Sequence, residues 1–157
     1  MNILFNASPA VRPVTGIRTY AKELMKHLLQ IDEDNHYTIF SIKSPFPHRR
    51  IPFSYPEARN VSCKSIIFPY RFLNIVWNDL HLFPIEKFVG KKLDVLHSLD
   101  KFAPFTKSAK TIITTHDMWW YSYRTKSERR GASYRQIIES LKRSTAIIVC
   151  SEFSKSE

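Results

Sequence analysis

A chain of 157 residues is the size of one ordinary domain, long enough to bury a single core. With 43% hydrophobic, 13% aromatic and 24% charged residues it is no disordered tail, and no apolar run approaches the ~20 residues of a membrane-spanning helix. Its formal net charge of +10 is uneven, and it attracts phosphate-rich partners: nucleic acid, anionic lipid headgroups or phosphorylated small molecules.

The first element is a buried strand over residues 2–7, Asn-Ile-Leu-Phe-Asn-Ala. Met1-Asn2 enters it with no basic start, unlike a secretory signal, so a cytoplasmic location is expected. Pro9 and Pro13 then block helix formation, and Gly16 opens a helix. Ile17, Tyr20, Ala21, Leu24, Leu28 and Ile31 form its apolar stripe, with Arg18, Lys22, Glu23, Lys26 and Gln30 opposite. Asp32-Glu33-Asp34-Asn35 ends the helix, and residues 37–42 make a second strand. Strand, amphipathic helix and strand form the βαβ unit of a parallel sheet.

Four prolines mark residues 43–60 as a loop, and residues 61–68 read as a third strand. Over 71–88 the pattern is mixed: Phe72, Ile75, Val76, Leu80 and Phe83 suit a helical face that Pro84 interrupts. Three apolar runs at 94–99, 111–115 and 146–150 supply further strands. Between the last two, Ser133 and Gln136 match a capping box, followed by Tyr134, Ile137, Ile138 and Leu141 on one face. The pattern predicts an α/β domain with a doubly wound, Rossmann-like parallel sheet. Cys63 and Cys150 fit no metal-ligand spacing, and Cys150, closing an apolar run, reads as a buried reduced thiol. Ser151 is placed to cap a helix starting at Glu152, and the chain stops within about two turns of it, as a sequence cut short would.

Three constellations could carry chemistry. In a parallel sheet the turn Val14-Thr15-Gly16-Ile17 lies at the carboxyl end of the first strand, where ligands bind. A helix N-terminus offers free N–H groups and partial positive charge to a phosphate, and Gly16 adds no side chain in the way; an ordinary turn glycine is the plainer alternative. The dinucleotide pattern G-x-G-x-x-G is excluded, since Gly16, Gly90 and Gly131 are the only glycines. A second strand end, Thr114-Thr115-His116-Asp117, brings an imidazole and a carboxylate to the same edge, as a proton-exchanging pair or a solvated one. His97 stands at a third strand end, either structural or functional; with His116 it gives two metal ligands and no third, so no metal site is expected. Arg124, Lys126, Arg129 and Arg130 follow Met118-Trp119-Trp120-Tyr121, a mixture suited to lipid headgroups, a glycan or nucleic acid, or to a solvated loop.

In order, these segments resemble the N-terminal domain of the retaining, GT-B-fold glycosyltransferases of family 4. Thr15-Gly16-Ile17 with Tyr20, Glu23 and Leu24 resembles the family's glycine loop and first helix. Asp94-Val95-Leu96-His97 is similar to its strand ending in histidine, and Thr114-Thr115-His116-Asp117 to its T-x-H-D segment. Residues 146–154, ending Cys-Ser-Glu-Phe-Ser, resemble its strand-to-helix passage before the second domain. The resemblance implies a polysaccharide-type or lipid-linked acceptor held mainly here and a nucleotide-sugar donor held mainly by a C-terminal domain that this sequence lacks. It implies transfer of a hexosyl group with retention, no metal strictly required, and no cofactor besides the nucleotide sugar. By the same resemblance Thr15, Gly16 and Ile17 approach the donor diphosphate, His116 and Asp117 are catalytic, and His97, Arg18 and Trp119 bind the acceptor. Arg18 departs from the pattern, since many members carry a glycine there. The implied protein acts in the cytoplasm, peripheral to an anionic membrane surface, and this half alone is inactive. The rival expectation is a non-enzymatic basic module for nucleic acid or anionic membrane.

Overall fold

The computed structural model describes residues 1–11, 16–46, 58–116 and 132–156. Six strands, β1 (Asn2–Asn6), β2 (His36–Lys43), β3 (Val61–Ile67), β4 (Val95–Ser98), β5 (Lys110–Thr115) and β6 (Ala146–Val149), form one sheet in the order β3-β2-β1-β4-β5-β6. Every pairing is parallel, so the domain is the expected Rossmann-like α/β fold. The strand order reverses between β1 and β4, where register pairs Asn6 with Ser98. Chain direction diverges there, and the crevice outside the carboxyl ends is where such sheets bind ligands.

Alternation along the strands sends side chains to two cores. Leu4, Phe40 and Leu96 meet Leu73, Val76, Trp77, Ile85 and Val89 on one face, whereas Phe5, Ile39 and Tyr37 meet helix α1 (Gly16–Ile31) on the other. The inward residues of α1 are Ala21, Met25 and Leu29, spaced by four. Tyr20, Leu24 and Leu28 flank them, and Ile31, placed in the stripe by periodicity, is 80% exposed at the helix end. Asp32 finishes the helix: its Oδ1 accepts the Asp34 and Asn35 amides at 3.1 Å each, and its Oδ2 accepts Tyr37 Oη at 2.5 Å and Asn35 Nδ2 at 2.7 Å.

The helical face expected over 71–88 forms only in pieces, with the expected break at Pro84. Helix α2 (Tyr70–Asn74) runs into a π turn (Ile75–Asp79), and α3 (Ile85–Val89) begins after Pro84. Leu73 in α2, with Val76 and Trp77 in the π turn, faces the core. Phe72, Ile75, Leu80 and Phe83 are left exposed, so of the five residues expected on one face only Val76 is buried. Gly90 closes α3 in the left-handed region at φ 73°, its amide donating to Glu86 O at 2.8 Å.

Helix α4 (Ala132–Lys142) buries Ile137 as expected, but its inward face is otherwise polar. Gln136 Nε2 donates to Asp79 Oδ2 at 2.6 Å, turned away from the capping role its spacing suggested. Ser140 Oγ donates to Asn78 Oδ1 at 2.6 Å, and Arg143 Nη2 donates to the same oxygen at 2.5 Å. Among the described residues strand β6 pairs only with β5, and it is exposed along most of its length. Cys150 is therefore exposed, contrary to the buried thiol that its apolar run suggested. Ser151 does cap α5 (Glu152–Ser156), accepting the Ser154 amide on Oγ at 3.1 Å.

Candidate functional site

The carboxyl ends of β1 and β4 are pinned by a buried polar network that begins at Asn6. Asn6 Nδ2 donates to Ser98 Oγ at 3.1 Å, and Ser98 Oγ donates to Phe102 O at 2.6 Å. Asn6 Oδ1 accepts the Ser8 hydroxyl at 2.6 Å, while Ser8 Oγ accepts the Ile42 amide at 3.2 Å. These bonds join β1, β2 and β4 at the edge and satisfy polar groups that would otherwise be costly to bury. Sequence reasoning passed over Asn6 and Ser8; a polar residue ending an apolar strand was the available signal.

The first turn of α1 opens at this edge. Gly16 is exposed, and a Cβ built there meets no atom within 4 Å. Neither packing nor a left-handed backbone requires glycine at this position, so the described chain leaves open the space over the helix N-terminus. Ile17 and Arg18, both half-buried, complete that turn, which contains no acidic residue to neutralise its partial positive charge.

His116 follows directly on β5. Its ring lies edge-on to Tyr20, centroids 4.9 Å apart, and Tyr20 sits four residues beyond Gly16, about 6 Å along the helix axis. His116 Nδ1 is 3.5 Å from Cys150 Sγ at the end of β6. Its Nε2 is buried and has no hydrogen-bond partner among the described residues. With Nδ1 facing the thiol, Nε2 is the ring atom left to donate to, or accept from, a ligand. Tyr20 thus ties the helix that Gly16 and Ile17 open to the imidazole of His116.

His97 is placed differently. It lies in β4 between Phe5 and Ile112, 7% exposed, with its ring 5.3 Å from Phe5. His97 Nε2 and Thr114 Oγ1 are hydrogen-bonded at 2.9 Å. Burial disfavours the imidazolium and lowers the pKa to about 4, so the ring is neutral near pH 7. From there it braces β5 two residues before His116. Thr15, Asp117 and Trp119 lie outside the described residues, as does the basic and aromatic stretch 118–130. Among the described residues, no group of three or more His, Cys, Asp or Glu could hold a metal ion. No helix among them is long and apolar enough to cross a membrane.

The model of Glycosyltransferase Family 4 matches residues 14–157, which takes in every strand but the first. The chain belongs to glycosyltransferase family 4. Its six-stranded parallel sheet is the α/β fold expected of that family's N-terminal domain, and at the coarse level the domain is of transferase type. No curated protein and no solved structure matches it significantly. Within a family 4 domain, the edge carrying Gly16 and His116 is the candidate active site.

Proposed function

We propose that this domain is the acceptor-side half of a glycosyltransferase that moves a hexosyl group, with retention, from a nucleotide sugar to a glycan or lipid-linked acceptor. The observation that carries the reading is the juxtaposition at one sheet edge of a helix N-terminus that the described residues leave open and an imidazole nitrogen with no hydrogen-bond partner among them. Backbone amides of Gly16 and Ile17, flanked by Thr15, suit the donor diphosphate, where positive potential stabilises the charge that develops on the leaving group. His116 Nε2 suits a hydroxyl of the transferred sugar, with Asp117 next to it in sequence orienting sugar or acceptor.

Acceptor binding falls to Arg18 in the first turn of α1 and to Trp119. In this reading His97 contributes from inside the sheet, holding Thr114 and through it the strand that ends at His116. The donor's remaining contacts belong to a second, C-terminal domain. In this reading residues 1–157 bind without turning over by themselves, and the protein acts in the cytoplasm, peripheral to the membrane.

The test is His116→Ala in a form that carries both domains. Turnover should fall by about 100-fold or more, the usual contribution of a placed acid–base or hydrogen-bonding side chain, with circular dichroism unchanged. Near-normal turnover would remove His116 from the mechanism. Salt-dependent binding to generic DNA, with no response to nucleotide sugars, would put a non-enzymatic basic module in place of the transferase.

A further inference from the structure

We propose that the turn at Leu80–Phe83 and the lysine groove beside it form a docking surface for an anionic lipid bilayer. This deepens the peripheral membrane location of the proposed function by naming the surface that docks, and rests on that location but not on the transfer chemistry. The turn presents large apolar side chains to solvent: Leu80 is 55%, Leu82 50% and Phe83 56% exposed. Phe72 and Ile75, on α2 and the π turn, are exposed as well. These residues carry the apolar pattern of a core segment and are nevertheless turned outward.

The turn is fixed rather than frayed. His81 and Phe83 both hold the left-handed region, at φ 51° and 49°, which non-glycine residues seldom adopt. Two bonds from the core maintain it: Leu82 N donates to Val76 O at 2.9 Å, and Trp77 Nε1 donates to Phe83 O at 2.9 Å. Trp77 is itself 1% exposed, so the tip is anchored in the packed interior.

Charge selects the occupant. A groove of about 350 Å³ starts at Pro84, next to Phe83, and is lined by Lys87, Lys91, Lys92 and Lys107. Its single acid, Glu86, has Oε1 engaged by the Thr106 hydroxyl and by the Lys107 and Ser108 amides at 3.2 and 3.4 Å. Lys87 Nζ also stands 5.7 Å over the Phe83 ring, joining the cationic and apolar parts. Exposed apolar side chains with a lysine groove beside them match the boundary between acyl chains and anionic headgroups, where lysine stems reach toward the phosphates. An acidic soluble protein would use the lysines but leave Leu82 and Phe83 without a reason to be presented. The groove lies by the amino ends of β4 and β5, opposite the edge that carries Gly16 and His116, so docking leaves that edge open.

Sedimentation of the 157-residue chain with vesicles tests the proposal, and no sugar nucleotide enters the assay, so its outcome is separate from that of the transferase reading. Mixed phosphatidylcholine–phosphatidylglycerol vesicles are expected to bind the chain about tenfold or more tightly than phosphatidylcholine alone, increasingly so at low salt. Leu82→Ser/Phe83→Ser should lower the partition coefficient by about tenfold on mixed vesicles. Lys87→Gln/Lys91→Gln/Lys92→Gln/Lys107→Gln should remove most of the preference for phosphatidylglycerol, each lysine contributing about fivefold at a charged surface. Circular dichroism checks the fold of both variants. The proposal fails if mixed vesicles do not bind the chain, or if both folded variants bind like the original. It also fails if the apolar tip proves to hold a second copy, seen as a concentration-dependent dimer that Leu82→Ser/Phe83→Ser dissolves.

Discussion

His97→Gln should flatten the acid limb of the domain's stability curve. In the folded chain burial holds the His97 pKa at about 4, whereas an unfolded histidine titrates near 6.5. A depressed folded-state pKa means that the unfolded chain takes up a proton first as pH falls. The neutral ring's contribution is complete above about 6.5 and is lost progressively down to about 4. Linkage between those two values gives a loss of about 2.5 kcal/mol on going from pH 7 to 4.5, or roughly 5–10 °C in Tm for a domain of this size. A glutamine side chain at this position offers a hydrogen bond to Thr114 but does not titrate, so the variant lacks this component. Urea unfolding of both proteins at the two pH values measures it, because carboxylates and the other histidines contribute alike to both and cancel in the difference. Equal pH dependence in the two proteins would refute the reasoning and mean that the folded ring accepts its proton as readily as the unfolded one.

Asn78→Ala should destabilise the domain by about 2–3 kcal/mol in denaturant titration, since Ser140 and Arg143 both lose the acceptor that ties α4 to the π turn. Asp32→Asn should draw the Tyr37 hydroxyl, pushed up to about 12 by burial and then by Asp32, part of the way back toward 10, as read by NMR of labelled tyrosine. The same variant should lose acid sensitivity between about pH 4 and 2. Bonds from Tyr37 and Asn35 hold the Asp32 carboxyl at about 2, and what they contribute is present above the ordinary carboxylate value and lost as pH falls toward 2.

Strands and the first helix were legible because each is short, apolar and locally determined: 2–6, 36–43 and 110–115 are found within a residue of where the pattern places them. The Ser151 cap was legible for the same reason, as a side chain bonding an amide three residues on. What failed was partnership at a distance. Nothing in residues 71–88 announces a π turn, so Phe72, Ile75, Val76, Leu80 and Phe83 were read as one helical face, whereas Leu73 and Trp77 join Val76 in the core and the other four are exposed. Gln136 looked like half of a capping box because its partner, Asp79, lies 57 residues away. Cys150 was read as buried from its apolar neighbours, which sit on an edge strand. At the candidate site, strand ends and turns pointed to Gly16 and His116, and only the folded chain reveals Tyr20 against the His116 ring and Cys150 against Nδ1.

The central claim, that the edge holding Gly16 and His116 receives a nucleotide sugar, is tested most directly by NMR titration of the labelled chain, alone and joined to its donor-binding half. The readouts are the Gly16 and Ile17 amides and the His116 imidazole, followed against a panel of nucleotide sugars. The account predicts that one donor shifts all three signals together, more strongly in the joined form, while signals from Lys87, Lys91 and Lys92 stay in place. Shifts confined to those lysines, or none at Gly16 and His116 with any donor in either form, would contradict it.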